Sequence, residues 1–375
     1  MNYLRSSDIQ GKTVFLRVDW NVPLLNGEIT DDNRIRATVP TIDFLKSRNC
    51  KIVIGTHLGR PDGDIVPQLS TRILAIKLSE MISGKIISTD AVIETSVTSQ
   101  IAKMKAGDIL VLGNLRWHAE EETNNPAFAN ILASYADVYV NDAFAVSHRA
   151  HASVDAITNY LPSYAGFLLE KEITSLKVLT DAPRHPFVLV LGGAKIKDKI
   201  GLIKKFAPTV DSFLVGGGIA NTLQFFNGEN ISQSYYEPNL ESKVEEILGM
   251  AKDKIILPVD SVKKDMGDGK FSILDIGPQS IEKFGHIINE AKTIFWNGNM
   301  GYSEDPQYGK GTLEIANLIK DNKYVRIVAG GDTVGFLKSH NISDGFTFIS
   351  TGGGAALEFL AGVELPGLKV LGYYN

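Results

Sequence analysis

The sequence predicts an α/β protein made of two doubly wound, Rossmann-like parallel-sheet domains facing across a hinged cleft. Three observations lead there. Short apolar runs rich in β-branched residues alternate with longer helix-period segments along nearly the whole chain, as βα units require. The 375 residues exceed one ordinary core and suit two of comparable size. A helical stretch, GFLLEKEITSLKVLT (166–180), separates two similar-looking halves and ends before the breaker sequence DAPRHP.

The expected strands of the first half are Thr13–Val18, Lys51–Thr56, Asp108–Gly113 and Asp137–Asp142. Those of the second half are Phe187–Gly192, Ser212–Gly217, Lys254–Val259, Lys292–Asn297, Tyr324–Ala329 and Phe346–Thr351. Their brevity, β-branched content and Gly or polar stops favour strands over buried helix turns. The domains are accordingly expected at 1–165 and 181–360, with 166–180 as an interdomain helix.

Composition narrows the function. Hydrophobic residues make up 44% and charged residues 22%, an ordinary soluble balance. A net charge of −5 disfavours nucleic acid as a partner. The single cysteine, Cys50, suits a reducing compartment. The start, MNYLRSSDIQ, lacks signal-peptide features, and no apolar run approaches the roughly 18 residues of a membrane span. A cytoplasmic protein with no membrane partner is expected. Of eleven arginines, nine lie at or before Arg149, which separates the halves chemically.

In doubly wound sheets ligands bind beyond the carboxyl ends of the strands. In the first half those ends carry Arg17, Asp19 and Asn21 (RVDWNVP) with Arg34 following, His57 and Arg60 (THLGRP), Asn114 and Arg116 (GNLRWH), then Asn141, Asp142, His148, Arg149 and His151 (VNDAFAVSHRAH). Any one of these arginines alone reads as a solvated ion pair. Four strand ends delivering such groups to one edge describe a pocket for a small, multiply charged anion, and a phosphorylated acid is the natural ligand.

The second half puts glycine turns in the same places: GGAKIKDK, GGGIAN, NGNMGYSE, AGGDT and TGGGAALE. Glycine there lets the backbone approach a phosphate, and the following helix aims its N–H groups and positive dipole end at it. Lys195 and Lys199 are expected one helical turn apart on one face. With Asp332 as a candidate metal ligand, this reads as a nucleoside triphosphate site in which Mg²⁺ is held largely through phosphate oxygens. No G-x-x-x-x-G-K-[ST], G-x-G-x-x-G, H-R-D or zinc-spaced Cys/His pattern occurs.

RVDWNVP, the Arg34 turn, THLGRPDG, NLRWHAEEE, VNDAF-x-x-SHRAH, LGGAKIKDKI, LPVD, LDIGP, WNG, GGDT and STGGGAALE together resemble the ordered motifs of the phosphoglycerate kinase family, from about Lys12 to about Gly362. The resemblance implies a monomeric, glycolytic, Mg²⁺-dependent enzyme that transfers a phosphoryl group from 1,3-bisphosphoglycerate to ADP, giving 3-phosphoglycerate and ATP. It implies triose binding by Arg17, Asp19, Asn21, Arg34, His57, Leu58, Gly59, Arg60, Arg116 and Arg149. Nucleotide binding would fall to Lys195, Lys199, Glu304, Gly330, Gly331, Asp332 and Thr333. Catalysis would fall to Arg34, Lys199 and the backbone N–H groups of Gly352, Gly353 and Gly354. The tail 361–375 would return to the first domain. The chain departs from the family pattern at Asn299, where proline is usual, at Tyr302–Ser303, at Ala145–Val146, and in a short loop between Asp260 and Leu274 that in the family helps wall the adenine pocket.

The expected mechanism is positioning and charge dispersal, with no general base, because the attacking oxygen is already ionised. Acyl phosphates hydrolyse readily, so closure about 166–180 is expected to exclude water. The competing readings are a two-domain glycosyltransferase, an anion-binding protein, and a family member with an impaired nucleotide site acting as a binding protein.

Overall fold

The structure, a computed structural model, describes residues 1–374. The chain forms two compact units, one of Met1–Ile173 with Glu364–Asn375 and the other of Thr174–Val363.

Each unit carries a six-stranded parallel sheet. In the first, the spatial order is Ile86–Ser88, Ile109–Val111, Lys51–Gly55, Thr13–Val18, Val138–Asp142, Ser163–Ala165. The central strand shows why its sequence reads as continuous apolar: both faces are covered, as parallel sheets require. Val14, Leu16 and Val18 pack with Ile52, Ile54, Ile109 and Val111 against Ile35, Ile42 and Leu45 of the helix Asn33–Ser47 and Leu74 and Leu78 of the helix Arg72–Ser79. Phe15 on the opposite face joins Val53, Leu110 and Tyr139 against Phe128 and Leu132 of the helix Pro126–Ala133. The period of two has become two separate core layers.

The second unit runs Ile255–Ile256, Ser212–Val215, Phe187–Leu191, Thr293–Asn297, Val325–Val328, Phe348–Ile349. Numbered along the chain this is 3-2-1-4-5-6, the dinucleotide-fold order, with its switch point between Phe187–Leu191 and Thr293–Asn297. Val188, Val190, Ile294 and Trp296 pack on Phe284 and Ile288 of the helix Pro278–Glu290 and on Ile315 and Ile319 of the helix Lys310–Asp321.

The expected strands all occur, Thr13–Val18 with the expected bounds and the others with shorter ends; Lys254–Val259 contracts to Ile255–Ile256 and Phe346–Thr351 to Phe348–Ile349. Two edge strands, Ile86–Ser88 and Ser163–Ala165, lacked an apolar run long enough to register. The short loop expected after Asp260 is instead an antiparallel hairpin, Ser261–Gly267 with Lys270–Ile276, turned at Asp268 (φ 53°) and Gly269 (φ 72°). Two successive positive φ values are what the Asp-Gly pair of a two-residue hairpin supplies.

The helix expected at 166–180 runs Phe167–Asp181. Its start is fixed by a distant carboxylate: Asp142 Oδ1 accepts the Leu168 and Leu169 N–H groups at 2.8 and 3.1 Å. Burial pushes the Asp142 carboxyl up to about 7. The C-terminal segment packs within the first unit. Gly367 N–H donates to Ser147 O at 2.9 Å, and the N-terminal ammonium donates to Gly372 O at 2.8 Å.

Candidate functional site

In the first unit the chain order reverses between Thr13–Val18 and Val138–Asp142, and the predicted cationic residues gather beyond that edge. Asp19 stands at the centre. Its carboxylate pairs with the Arg34 guanidinium, lies 3.9 Å from His57 Nδ1 and accepts the Asn21 N–H at 3.1 Å. Burial alone would raise the Asp19 carboxyl; Arg34 is the largest of the opposing influences, which together bring it down to about 2. Asn21 Oδ1 in turn accepts the Gly59 N–H at 2.8 Å, tying RVDWN to THLGR. Asn114 fixes the next loop by donating to Leu58 O at 2.7 Å and Leu69 O at 3.1 Å.

Arg116 is buried, lies 3.2 Å from Glu122 Oε1 and donates to Gly59 O at 3.4 Å. Burial, then the neighbouring charges of Arg17 and Arg149, weigh against its charged form, while Glu122 supports it. Arg149 is exposed, and its Nε reaches His148 Nε2 at 3.3 Å. Burial and these arginines keep all three imidazoles neutral: His57 and His148 are lowered, and His151 falls to about 3. The mutual influence places Asp19, Arg34, His57, Arg116, His148, Arg149 and His151 in one electropositive site. Leu58 is buried beneath it, and Arg60 is exposed, with no ion pair or hydrogen bond to another of the described residues.

Arg17 departs from its expected role. It belongs to the strand, in register with Gly55 and Asn141, and is fully buried. Its Nε donates to Ser153 Oγ at 2.7 Å, another nitrogen donates to Val18 O, and the third lies 3.7 Å from Glu121 Oε1. A side chain enclosed in this way supports the site from below and presents no surface to a solute. Glu121, which the sequence reading passed over, is its fully buried counter-charge. It accepts from Ser153 N–H at 2.9 Å and Ser153 Oγ–H at 2.6 Å, and sits 3.8 Å from His151 Nδ1.

The second unit offers far fewer charges. At its switch point the turns after Leu191 and Asn297 cross so closely that a Cβ on Gly192 would lie 2.2 Å from Asn299 O; Gly298 itself takes φ +98°. Lys199 is buried there and donates to Asn297 Oδ1, while Asn297 Nδ2 donates to Ala329 O at 2.8 Å. Burial lowers the Lys199 ammonium to about 8, against the opposing pull of Asp198 and Asp332. Asn297 closes the expected strand and was not singled out beforehand.

Lys195 does not share a face with Lys199. The chain between them winds as a 3₁₀ turn, Ile196–Asp198, in which four residues advance about 120° beyond a full turn, and Lys195 is exposed. Thr333 is buried, its hydroxyl accepting the Gly298 N–H at 2.8 Å, so its side chain braces the turn. Gly330, at φ +109°, opens the helix Gly331–Ser339, with Asp332 exposed in its first turn. The Gly352 N–H is engaged by Ser350 Oγ at 3.0 Å, which leaves Gly353 and Gly354 at the start of the helix Gly353–Leu360 as the available donors. Glu304 is exposed.

A doubly wound unit with a cluster of cationic side chains and a dinucleotide-fold unit with glycine turns around a buried lysine define a phosphotransferase of the two-unit α/β class. The sequence profile described as PGK, phosphoglycerate kinase, matches residues 4–363. The chain is 44% identical over 386 residues to a phosphoglycerate kinase of Dictyoglomus turgidum, covering 98% of this chain and 97% of that protein. It is 40% identical over 385 residues to one from Leptospira biflexa, covering 98% and 97%. Two solved phosphoglycerate kinase structures superpose at 32% identity: from Coxiella burnetii with TM-score 0.85 (99% and 98% covered), and from Pyrococcus horikoshii OT3 with TM-score 0.87 (100% and 99%). The chain belongs to the phosphoglycerate kinase family.

Proposed function

We propose that the protein reversibly transfers a phosphoryl group from 1,3-bisphosphoglycerate to ADP, giving 3-phosphoglycerate and ATP, with the acid held on the first unit and the nucleotide on the second. The observation that carries this reading is the electropositive cluster around Asp19. Its histidines are neutral, so the cationic arginines Arg34, Arg116 and Arg149 are the groups offered to a phosphate and a carboxylate. Asn21, His57, Gly59 and Arg60 complete the acid site in this proposal, and Arg17 acts with Glu121 beneath it.

On the second unit, Gly330, Gly331, Asp332 and Lys195 are assigned to the nucleotide phosphates and Glu304 to the nucleoside. Lys199 and Arg34 are assigned to the transferring group, with Gly353 and Gly354 N–H as further donors. The lysine supplies one ammonium in a water-poor setting, where its field on developing charge is strongest. No side chain needs to remove a proton, because the attacking oxygen is already anionic.

Among the described residues no three His, Cys, Asp or Glu side chains converge as a metal cage. One exposed carboxylate, Asp332, beside a phosphate turn fits Mg²⁺, which takes one or two carboxylates and otherwise phosphate and water oxygens. Bound there with the nucleotide, Mg²⁺ would neutralise phosphate charge. The protein is taken to act as a monomer in the cytoplasm; no helix of the described residues is long and apolar enough to cross a membrane.

The test is a coupled assay of ATP-dependent 3-phosphoglycerate phosphorylation, on wild type and Lys199→Ala. Activity that collapses in the variant supports the reaction and the lysine assignment together. A folded wild type inactive with Mg²⁺ present would refute the proposal.

A further inference from the structure

The two lysines assigned to the nucleotide flank a third, Lys197, and the turn that carries all three is weakly held from within. The 3₁₀ turn Ile196–Asp198 closes on the bond from Lys199 N–H to Ile196 O at 2.8 Å, and no side chain caps its start. Ile196 is its buried apolar anchor. In so short a turn the first N–H groups find no acceptor inside it, and its geometry is poor for hydrogen bonding. Its shape therefore depends on partners outside it.

Glu237, 40 residues further along the chain, is such a partner. Its Oε2 accepts the Lys197 N–H at 3.2 Å, in the middle of the turn, and its Oε1 lies 3.7 Å from Lys197 Nζ. The carboxylate is itself fixed from behind. Glu237 N–H donates to Thr222 Oγ1 at 3.0 Å, and the buried Thr222 donates its hydroxyl to Gly218 O at 2.7 Å, one turn back in the helix Gly217–Phe226. Pro238 follows and disfavours helical backbone at Glu237. On the other side the Tyr236 ring stacks on Phe225 of the same helix, with 4.1 Å between centroids. A braced segment thus presents one carboxylate to the N–H midway between Lys195 and Lys199.

An acidic side chain beside a phosphate site repels the ligand unless a cation meets its charge. The Glu237 side chain is 11% accessible, and the exposed Lys197 ammonium is the cation that meets it. The lysines of GGAKIKDK therefore divide. Lys199 turns inward to Asn297 Oδ1, Lys195 stays exposed, and Lys197 pairs with Glu237. We propose that Glu237 is a positioning residue for phosphoryl transfer: by holding the Lys197 N–H it sets the turn that delivers Lys199 to the transferring group, and Lys197 is its counter-charge rather than a nucleotide ligand. Displacing a charged group by about 1 Å from the reacting atoms is enough to slow a reaction by up to about a hundred-fold. The inference deepens the nucleotide reading of the second unit and rests on it.

Steady-state kinetics of ATP-dependent 3-phosphoglycerate phosphorylation by the full-length protein, with urea unfolding of each variant, test it. Glu237→Gln keeps an acceptor oxygen for the Lys197 N–H and is expected to hold kcat within about three-fold of wild type. Glu237→Asp keeps the charge but draws the acceptor back by one methylene, and Glu237→Ala removes both. In these two, kcat is expected to fall about ten-fold or more while KM for 3-phosphoglycerate stays within about two-fold. Lys197→Ala is expected to stay within about three-fold of wild type, as loss of an exposed ion pair should. Wild-type kcat and KM in Glu237→Asp and Glu237→Ala, with only a lower urea midpoint, would make the contact purely structural and overturn the proposal. So would a Gln variant as impaired as the Ala variant, or Lys197→Ala as damaging as Lys199→Ala. An inactive wild type overturns the nucleotide reading together with this one, whereas an active wild type with unimpaired Glu237 variants overturns the positioning role alone. Should Glu237→Ala not fold, Glu237→Asp against Glu237→Gln decides the matter.

Discussion

At the strand ends of the first unit positive charge is carried on side chains from four loops, and a buried carboxylate stands beneath them. At those of the second unit glycines bring backbone N–H groups to the surface and a single buried lysine supplies charge. Both sheets use the same topological rule to make a site. They differ in what must be built around it. Clustered guanidinium groups repel one another, so the first unit places Asp19 within the cluster and Glu121 below it, each buried and each hydrogen-bonded. Backbone donors carry no net charge and need no counter-ion; here Gly192 and Gly298 let the two turns that carry the site cross closely.

The comparison is most severely tested by removing the counter-charge. Glu121→Ala leaves the buried Arg17 guanidinium without its counter-charge and strips two acceptors from Ser153. The expected cost is about 3–5 kcal/mol. Urea unfolding measures it, and the tryptophans sort the units: Trp20 and Trp117 lie in the first, Trp296 in the second. On a Trp296→Phe background the fluorescence transition should move to much lower urea. A shift worth less than about 1 kcal/mol would show that the first unit does not depend on this pair.

Next in size is the arginine itself. Arg34→Ala is expected to lower kcat by roughly two powers of ten or more, as loss of catalytic arginines does elsewhere. Arg34 also holds Asp19, so KM for 3-phosphoglycerate should rise as well. A rise in KM with kcat within a few-fold of wild type would make Arg34 a binding residue only.

These residues also show how far the sequence could be read. The two-sheet architecture and the strand-end cluster were legible because βα alternation is periodic and ligand sites follow strand ends by topology. Arg17 looked like its neighbours in RVDWN, yet it precedes Val18 inside the strand, where both faces of a parallel sheet are covered. Glu121 sits in the run AEEE, where three identical residues give no sign of which one the short helix turns inward. Asn297 closes an apolar strand, and its role exists only because Lys199 arrives from 98 residues away. Lys195 and Lys199 were misplaced because an α-turn and a 3₁₀ turn share sequence preferences but not angular spacing. The hairpin after Asp260 did carry a local signal, the Asp268-Gly269 pair, overshadowed by its charged strands.

The buried lysine of the second unit yields a pH dependence that the first unit lacks. Burial lowers Lys199 to about 8, and the ammonium is the form that attracts phosphate. Below that value the site is charged; above it the proton is lost and attraction goes with it. kcat/KM for the nucleotide should therefore fall about ten-fold per pH unit above roughly 8, since this profile reports the free enzyme. A flat profile to pH 9.5 would place Lys199 outside the binding step. The acid site relies on guanidinium groups and holds no such lysine, so 3-phosphoglycerate affinity should hold where nucleotide affinity declines.

Salt should produce the smallest effect and the finest contrast. Arg60 and Arg149 are exposed and the Arg34 side chain is 32% accessible, so much of the first unit's field passes through solvent. Raising ionic strength from about 0.05 to about 0.3 M shortens the screening length from about 14 to about 6 Å, and KM for 3-phosphoglycerate should climb several-fold. In the second unit Lys199 is buried, Lys195 is the one exposed cation assigned to the site, and the remaining donors are backbone N–H groups, whose short range mobile ions screen little. KM for the nucleotide, measured at constant free Mg²⁺, should then change by a smaller factor over the same range. Equal factors for the two substrates would mean that exposed side-chain charge contributes as much to one site as to the other, and the contrast between cationic side chains and glycine turns would not govern affinity.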